Sequence, residues 1–381
     1  MILIKNGYIK TMVSEDIENG YVLIGDDGKI VSVGKEIEET ADMTVIDADG
    51  KLVTPGCVEA HCHLGLGDLS GKDHNESTNP ITPEMRAIDA INPQNESFQS
   101  AIKGGITSVC AGPGSANIVG GTFLAMKCYG KRIDDMIIKN PIAMKVAFGE
   151  NPKKDLVQSG KAPKTRMAVA ALLREFLYKA KKYYTDKIEG KNPAFDFKLE
   201  AMLPVMSGEI PLKAHAHRAD DIFTAIRIAK EFGLKMTIDH CTDGALIADE
   251  LAKEGYPVLV GPYTCGKSKY ELLNKSNTTP AKLHAAGVDL AIITDAGVIQ
   301  IEQLPFVAGI AYKSGLPFEE AWKAITINAA RITGIADRVG SLEPGKDGDV
   351  VIWQADPLRE IGAAVLVTVI DGKVVYRASE E

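Results

Sequence analysis

The chain has no CxxC pair, no apolar run approaching the ~18 residues of a membrane helix and no excess of basic side chains. Its six cysteines, Cys57, Cys62, Cys110, Cys128, Cys241 and Cys265, are scattered over 381 residues. That distribution fits reduced, mostly buried thiols and excludes a disulfide framework or zinc knuckle as the organising device. Lys and Arg number 43 against 51 Asp and Glu, and the net charge of -8 speaks against nucleic acid or an anionic membrane surface as the main partner. The opening MILIKNGYIKTM has neither the long apolar core nor the small-residue cleavage site of a signal peptide. The expectation is a cytoplasmic protein with a small-molecule partner. A homo-oligomer is compatible with the composition, which does not specify one. Internal repeats and low-complexity tracts are also missing, which excludes solenoids and long linkers.

What is there is a hydrophobic content of 45%, enough for a large core. Residues 1–54 carry short alternating runs, ILIKNGYI, YVLIGDDGKIVSVG and MTVIDADGKLV, punctuated by Asp-Gly turns of hairpin type. Residues 336–381 repeat the style in GDVVIWQAD and LVTVIDGKVVYRA. Neither piece buries enough surface to stand alone, so the two ends are expected to pair into one small β-sandwich.

Between them, residues 55–335 alternate apolar strands with amphipathic helices. Seven strands are legible: GCVEAHC, ITSVCAG, AMKVAFG, PLKAHA, KMTIDHC, PVLVGPY and VDLAIITD. SFQSAIKGG, ADDIFTAIRIAKEFG, DGALIADELAKEG and PFEEAWKAITINAARITG read as helices that mostly end at a capping glycine. This alternation predicts the α/β class and a (β/α)8 TIM barrel, with a further strand within 197–209. Barrel enzymes keep their sites at C-terminal strand ends. The long connections 66–95 and 151–200 are therefore candidate lids, or else surface decoration.

The first barrel strand ends His61-Cys62-His63. Alternate residues of a strand share a face. Both imidazoles therefore point into the barrel mouth, where together they can grip a divalent metal. AGPGSANIVGG, residues 111–121, matches neither GxxxxGKS/T nor a strict GxGxxG. It reads as an active-site wall, with Ser115 and Asn117 as polar substrate contacts.

VIDADGKLVTPGCVEAHCHLG, followed by PLKAHAH, KMTIDHC, VDLAIITDAG and GSLEPGKDGDVVIW, resembles the amidohydrolase superfamily of metal-dependent barrel hydrolases. The resemblance covers essentially the whole chain and is strongest to the imidazolonepropionase-like branch. It implies that His61, His63 and Asp295 bind one metal and that His215 and His240 bind a second. It also implies that Asp295 takes a proton from metal-activated water and passes it to the leaving nitrogen. By residue type alone, Asp295 also fits a helix N-cap. His217 and Arg218, just beyond His215, are substrate contacts in this reading; the plainer alternative is the end of a strand. Lys213 should be buried and paired, and His74 a solvated loop residue.

Many two-metal members of that superfamily bridge their ions with a carboxylated lysine at a strand end. Lys145 lies in the early half of its strand, and the strand end itself carries Glu150 in AMKVAFGENP. A glutamate offers the same two-oxygen anionic head. Glu150 is therefore the expected bridge between two ions, or a ligand of a single ion with His215 and His240. The nitrogen-rich set makes zinc the first expectation, as one or two ions. The implied reaction is hydrolysis of a carbon–nitrogen bond in an amide or cyclic amide. Imidazolonepropionase, deaminase, dipeptidase and N-acetyl-sugar deacetylase activities share these motifs. A catalytically silent binding barrel is the rival reading, but silent relatives lose ligands and all six expected positions are filled.

Overall fold

The computed structural model describes residues 1–67, 73–154 and 163–379. Its strands are β1 (Ile2–Ile9), β2 (Ile17–Ile24), β3 (Ile30–Gly34), β4 (Thr44–Asp47), β5 (Leu52–Pro55), β6 (Cys57–Cys62), β7 (Ile106–Ala111), β8 (Val119–Lys127), β9 (Ile137–Ala147), β10 (Leu212–Ala216), β11 (Met236–His240), β12 (Val258–Val260), β13 (Leu290–Ile292), β14 (Val350–Trp353), β15 (Val365–Ile370) and β16 (Lys373–Arg377).

The two ends of the chain do meet. They share one sheet in the order β16-β15-β14-β5-β1-β2-β3, with β4 added parallel to β1. The junction is the antiparallel pair β5–β14, which sets Val53 opposite Ile352. Inward apolar residues from both ends, among them Ile4, Val22, Val53, Val350 and Val369, pack into one cluster. The Asp-Gly turns behave as their composition requires. Asp371 and Gly372 between β15 and β16 both take positive φ, 48° and 68°, the conformation a tight primed hairpin turn needs.

The middle of the chain forms a second eight-stranded sheet, β6 to β13 in sequence order. β13 and β6 lie against each other, so the sheet nearly closes. All seven strands read from the sequence are present. The eighth is not in 197–209, where the chain makes two helical turns, Phe197–Glu200 and Leu203–Met206. It is β8, which runs antiparallel to both β7 and β9, so the barrel is mixed and not uniformly parallel. Its run VGGTFLAMK is buried from end to end. Residues 119–121 fall in the stretch read as an active-site wall, where two glycines and the lack of alternation hide the strand. Gly121 is needed because any Cβ there would meet the Met85 carbonyl oxygen at 2.3 Å, at a φ of 117°.

The helices follow the glycine punctuation. Ala219–Phe232, Ala248–Glu254 and Ile327–Thr333 each stop at a left-handed glycine, Gly233, Gly255 and Gly334. The basic run after β9 forms Arg166–Ile188, capped by Thr165, whose hydroxyl accepts from the Ala168 amide. Of the two candidate lids, residues 68–72 and 155–162 lie outside the described residues.

The barrel and the terminal sheet are joined by a buried ion cluster. Lys127, at the end of β8, sits 2.9 Å from Asp347, 2.8 Å from Asp349 and 3.1 Å from Asp371. Burial works against its charge, but the three carboxylates outweigh burial and hold its pKa above the usual lysine value.

Candidate metal centre

Parallel strands deliver their last residues to one end of a barrel. His61 and His63 come from β6, His215 and His217 from β10 and the residue after it, and His240 from β11. Asp295 lies three residues past the end of β13. Each imidazole is held through Nδ1. That of His63 lies 2.7 Å from the Gly112 carbonyl, and that of His240 lies 2.8 Å from the Gly261 carbonyl. Those of His215 and His217 lie 2.9 Å from Ser115 Oγ and 2.8 Å from Thr242 Oγ1. His61 Nδ1 lies 2.8 Å from Asp239 Oδ2.

Anchoring Nδ1 orients Nε2 toward the cavity. His215 Nε2, His240 Nε2 and Asp295 Oδ1 are buried without a hydrogen-bond partner. Among the described residues the donor atoms fall into two triplets, each within 4.8 Å: His61, His63, Asp295 and His215, His217, His240. The triplets adjoin, with the His61 and His240 rings 5.3 Å apart between centroids. Buried unpaired polar atoms are expensive, and imidazoles held at the far nitrogen are what metal sites use. The residues present therefore fit divalent ions.

The electrostatics agree. Burial draws the pKa of His61, His215 and His217 well below the usual histidine value, and that of His240 down to about 4. Neutral imidazole is the ligating form. Burial works against the Asp295 carboxylate, but a hydrogen bond from His63 and the adjoining imidazoles overcome it and hold the carboxyl below its usual range. His240, Cys241 and Asp295 also take positive φ, 73°, 48° and 53°. Such backbone costs about 1–3 kcal/mol per residue and gathers at functional sites.

Five of the six expected ligands are thus brought together, and Glu150 is not among them. Gly149, with φ of 82°, turns the chain at the end of β9 into the helical turn Asn151–Lys154. Lys154 then stands one turn beyond Glu150 and takes its carboxylate at 2.6 Å. The Glu150 amide donates to Glu271 Oε2 at 2.9 Å.

Lys145 does what its Cα position conceals. In the parallel register it stands beside Lys213, one step below His215 on the same face. Its four-carbon stem carries Nζ up to 3.4 Å from His61 Nε2 and 3.6 Å from Asp239 Oδ2. Burial lowers its pKa to about 8, with Asp239 opposing and Lys213 assisting. Lys213 is buried, donating to the Ala60 carbonyl at 3.0 Å and lying 3.4 Å from Asp239 Oδ1.

The weaker candidates divide. His217 belongs to a ligand triplet. Ser115 holds His215. Asn117 instead staples the loop after β6 by donating to the Glu76 and Asn79 carbonyls at 2.5 and 2.7 Å, and it lies away from the cavity. Arg218 is spent on Asp220 at 2.9 and 2.8 Å. His74 stacks on His63 at 5.2 Å and lines the cavity. Glu59 was not singled out in the sequence. It accepts from the His61 amide at 3.0 Å and from the Thr294 amide and hydroxyl at 2.8 and 2.6 Å, bracing the first ligand strand against the Asp295 turn. Its place two residues before His61, on the same strand face, was the available signal.

The sequence pattern described as "Amidohydrolase family" matches residues 52–375. The chain belongs to the amidohydrolase family.

A solved amidohydrolase from Thermotoga maritima MSB8 is 39% identical, covers 99% of this chain and 100% of its own, and superposes with a TM-score of 0.95. The imidazolonepropionase of Geobacillus kaustophilus is 28% identical over 399 residues, 94% of this amidohydrolase and 90% of that protein. The amidohydrolase tasK of Hapsidospora irregularis is 26% identical over 89% of this chain, which spans only 38% of that much longer protein. This amidohydrolase is a metal-dependent enzyme that hydrolyses carbon–nitrogen bonds. No helix among the described residues is long and apolar enough to cross a membrane.

Proposed function

We propose that this amidohydrolase cleaves an amide or cyclic amide with Asp295 as the proton-transfer group. The observation that carries the reading is the buried, anionic Asp295 carboxylate beside the His61 and His63 imidazoles, on the wall of the cavity that His63, His215 and His217 also line. His61, His63 and Asp295 would hold one ion, and His215, His217 and His240 a second; zinc suits five nitrogens. Bound divalent metal polarises a carbonyl and makes water acidic enough to react near neutral pH. Asp295 accepts the proton of the attacking water and delivers it to the leaving nitrogen. His63 Nε2 at 3.3 Å and His61 Nε2 at 3.5 Å place that carboxylate against the first triplet. Asp295→Asn should lose about 100-fold or more in kcat, the usual scale for a positioned acid–base group. Full turnover by a variant with normal metal content would overturn the role.

The geometry favours Lys145 over Glu150 as the anionic bridge. Lys145 and Lys213 are both buried against one buried carboxylate, Asp239, which leaves a surplus positive charge. Carbon dioxide adding to the neutral Lys145 amine forms an N–C bond, releases one proton and leaves a carboxylate in place of the amine. A pKa drawn down to about 8 leaves part of the amine neutral near pH 7. Zinc per chain, measured after reconstitution with bicarbonate, separates the two bridges. Lys145→Met should lose metal and Glu150→Gln should keep it; the opposite pattern would return the bridge to Glu150.

A further inference from the structure

The cavity over the two triplets has a volume of about 600 Å³ and is lined on one side by the segment after β12, including Cys265, Lys269 and Lys275. The two lysines differ in their partners. Lys269 has a carboxylate partner, with Nζ 3.4 Å from the buried carboxylate of Glu271, and a hydrogen bond to Asn151. Lys275 has only weak acceptors: the carbonyls of Cys265 at 3.5 Å and Gly266 at 3.2 Å, and Cys265 Sγ at 3.0 Å. Among the described residues no carboxylate forms an ion pair with it. It is half-buried.

A cation held by carbonyl dipoles at the wall of a reaction cavity is incompletely compensated, and it stands next to a site built to hold further positive charge. Both facts are relieved by one anionic ligand group between them. A single ammonium with no second donor suits a monoanionic carboxylate better than a phosphate, which Arg forks or several backbone amides would meet.

We infer that Lys275 is a specificity-determining residue and that the substrate is an amide or cyclic amide carrying a carboxylate, which pairs with the Lys275 ammonium while the scissile carbonyl lies at the His63–His215–Asp295 end. This rests on the hydrolase reading for the position of the carbonyl, but the anion site itself can be tested by binding.

The test uses matched pairs on the full-length, zinc-reconstituted protein: hydantoin-5-acetic acid against hydantoin-5-acetamide, and N-acetylalanine against N-acetylalaninamide. Dissociation constants are measured by calorimetry, and hydrolysis separately. At least one acid should bind wild type about 10- to 100-fold more tightly than its amide, the scale of a charge-assisted contact. Lys275→Met should abolish that difference and Lys275→Arg should retain it. If no acid binds more tightly than its amide, or the preference survives Lys275→Met, the anion site is refuted. Hydrolysis of both members at equal efficiency with no binding preference would sink the anion site and leave the hydrolase standing. A Lys275-dependent preference without turnover of any compound would support the anion site and count against the hydrolase reading.

Discussion

Replacing Lys127 by Met removes the one cation shared by Asp347, Asp349 and Asp371 while keeping most of the side chain's bulk. The three carboxylates do not suffer equally. Asp347 retains Arg338 at 2.8 Å and Lys29. Asp371 is 45% exposed, so water screens it. Asp349 is 3% exposed and keeps only the Asp371 amide at 3.0 Å and a long contact to Ser108 at 3.5 Å. One buried carboxylate is stranded, which places the loss near the lower end of the ~3–5 kcal/mol seen when a buried pair is broken, at about 3 kcal/mol. Asp349 already has a raised pKa, chiefly from burial, with Lys127 as the main opposing influence. Without Lys127 it rises further. A carboxyl with a raised folded pKa stabilises the fold while protonated and loses that contribution as pH rises. The variant should therefore be closest to wild type near pH 5 and furthest below it near pH 8. Urea unfolding followed by tryptophan fluorescence reads the region directly, because Trp322 and Trp353 are in edge contact at 6.2 Å and Trp353 Nε1 donates to Thr54 across the same junction. Adding Asp349→Asn should recover most of the loss. A Lys127→Met protein within about 1 kcal/mol of wild type at pH 8, below even a weakened buried pair, would refute the argument. So would a loss that Asp349→Asn does not reduce.

Three further outcomes are expected. Asp239→Asn removes the carboxylate that orients His61 and that Lys145 and Lys213 share, so zinc affinity measured by competition with a chelator should fall about 10- to 100-fold and unfolding stability should fall with it. Ser115→Ala frees His215 Nδ1 and should weaken zinc by about 10-fold, whereas Asn117→Ala should act on thermal stability and leave zinc affinity unchanged. In metal-free protein, His61, His215, His217 and His240 stay neutral when folded but protonate in the unfolded chain. Their folded pKa values lie below the unfolded ~6.5, so unfolding takes up protons and stability should fall as pH drops from about 6.5 toward 4, by up to about 1.4 kcal/mol per pH unit per group. A flat profile between pH 7 and 5 in urea titrations of the metal-free protein would contradict this.

Part of the candidate site was legible because its imidazoles sit at strand ends, where period-two alternation fixes the face. His61 and His63 followed from strand alternation, whereas His215, His240 and Asp295 were named by the resemblance to the family. Four features were hidden, for separate reasons. β8 is buried on both sides, so alternation vanishes, and its paired glycines mimic a loop. Glu150 stands after a left-handed glycine, beyond the point where strand geometry predicts direction. Lys145 was judged by its Cα, although a lysine places its charge several ångströms along the strand axis from where it starts. His217 was read as a neighbour of the site when the turn to Thr242 folds it back into the triplet with His240.

The pairing of β5 with β14 has a consequence for synthesis. Thr54 and Trp353 meet across 299 residues of sequence, so β1 to β5 leave the ribosome long before their partner strand exists. At about 5–20 residues per second, β5 stays an open edge for roughly 15–60 seconds while the whole barrel is made. Unpaired edges recruit other chains, and the nascent β5 is short and ends at Pro55, which has no amide to offer. The N-terminal segment must remain a patient half-sheet, and the C-terminal segment acts as its clasp: a chain truncated before Val350 should leave the ribosome with a barrel and an unsealed edge, a substrate for chaperones and proteases.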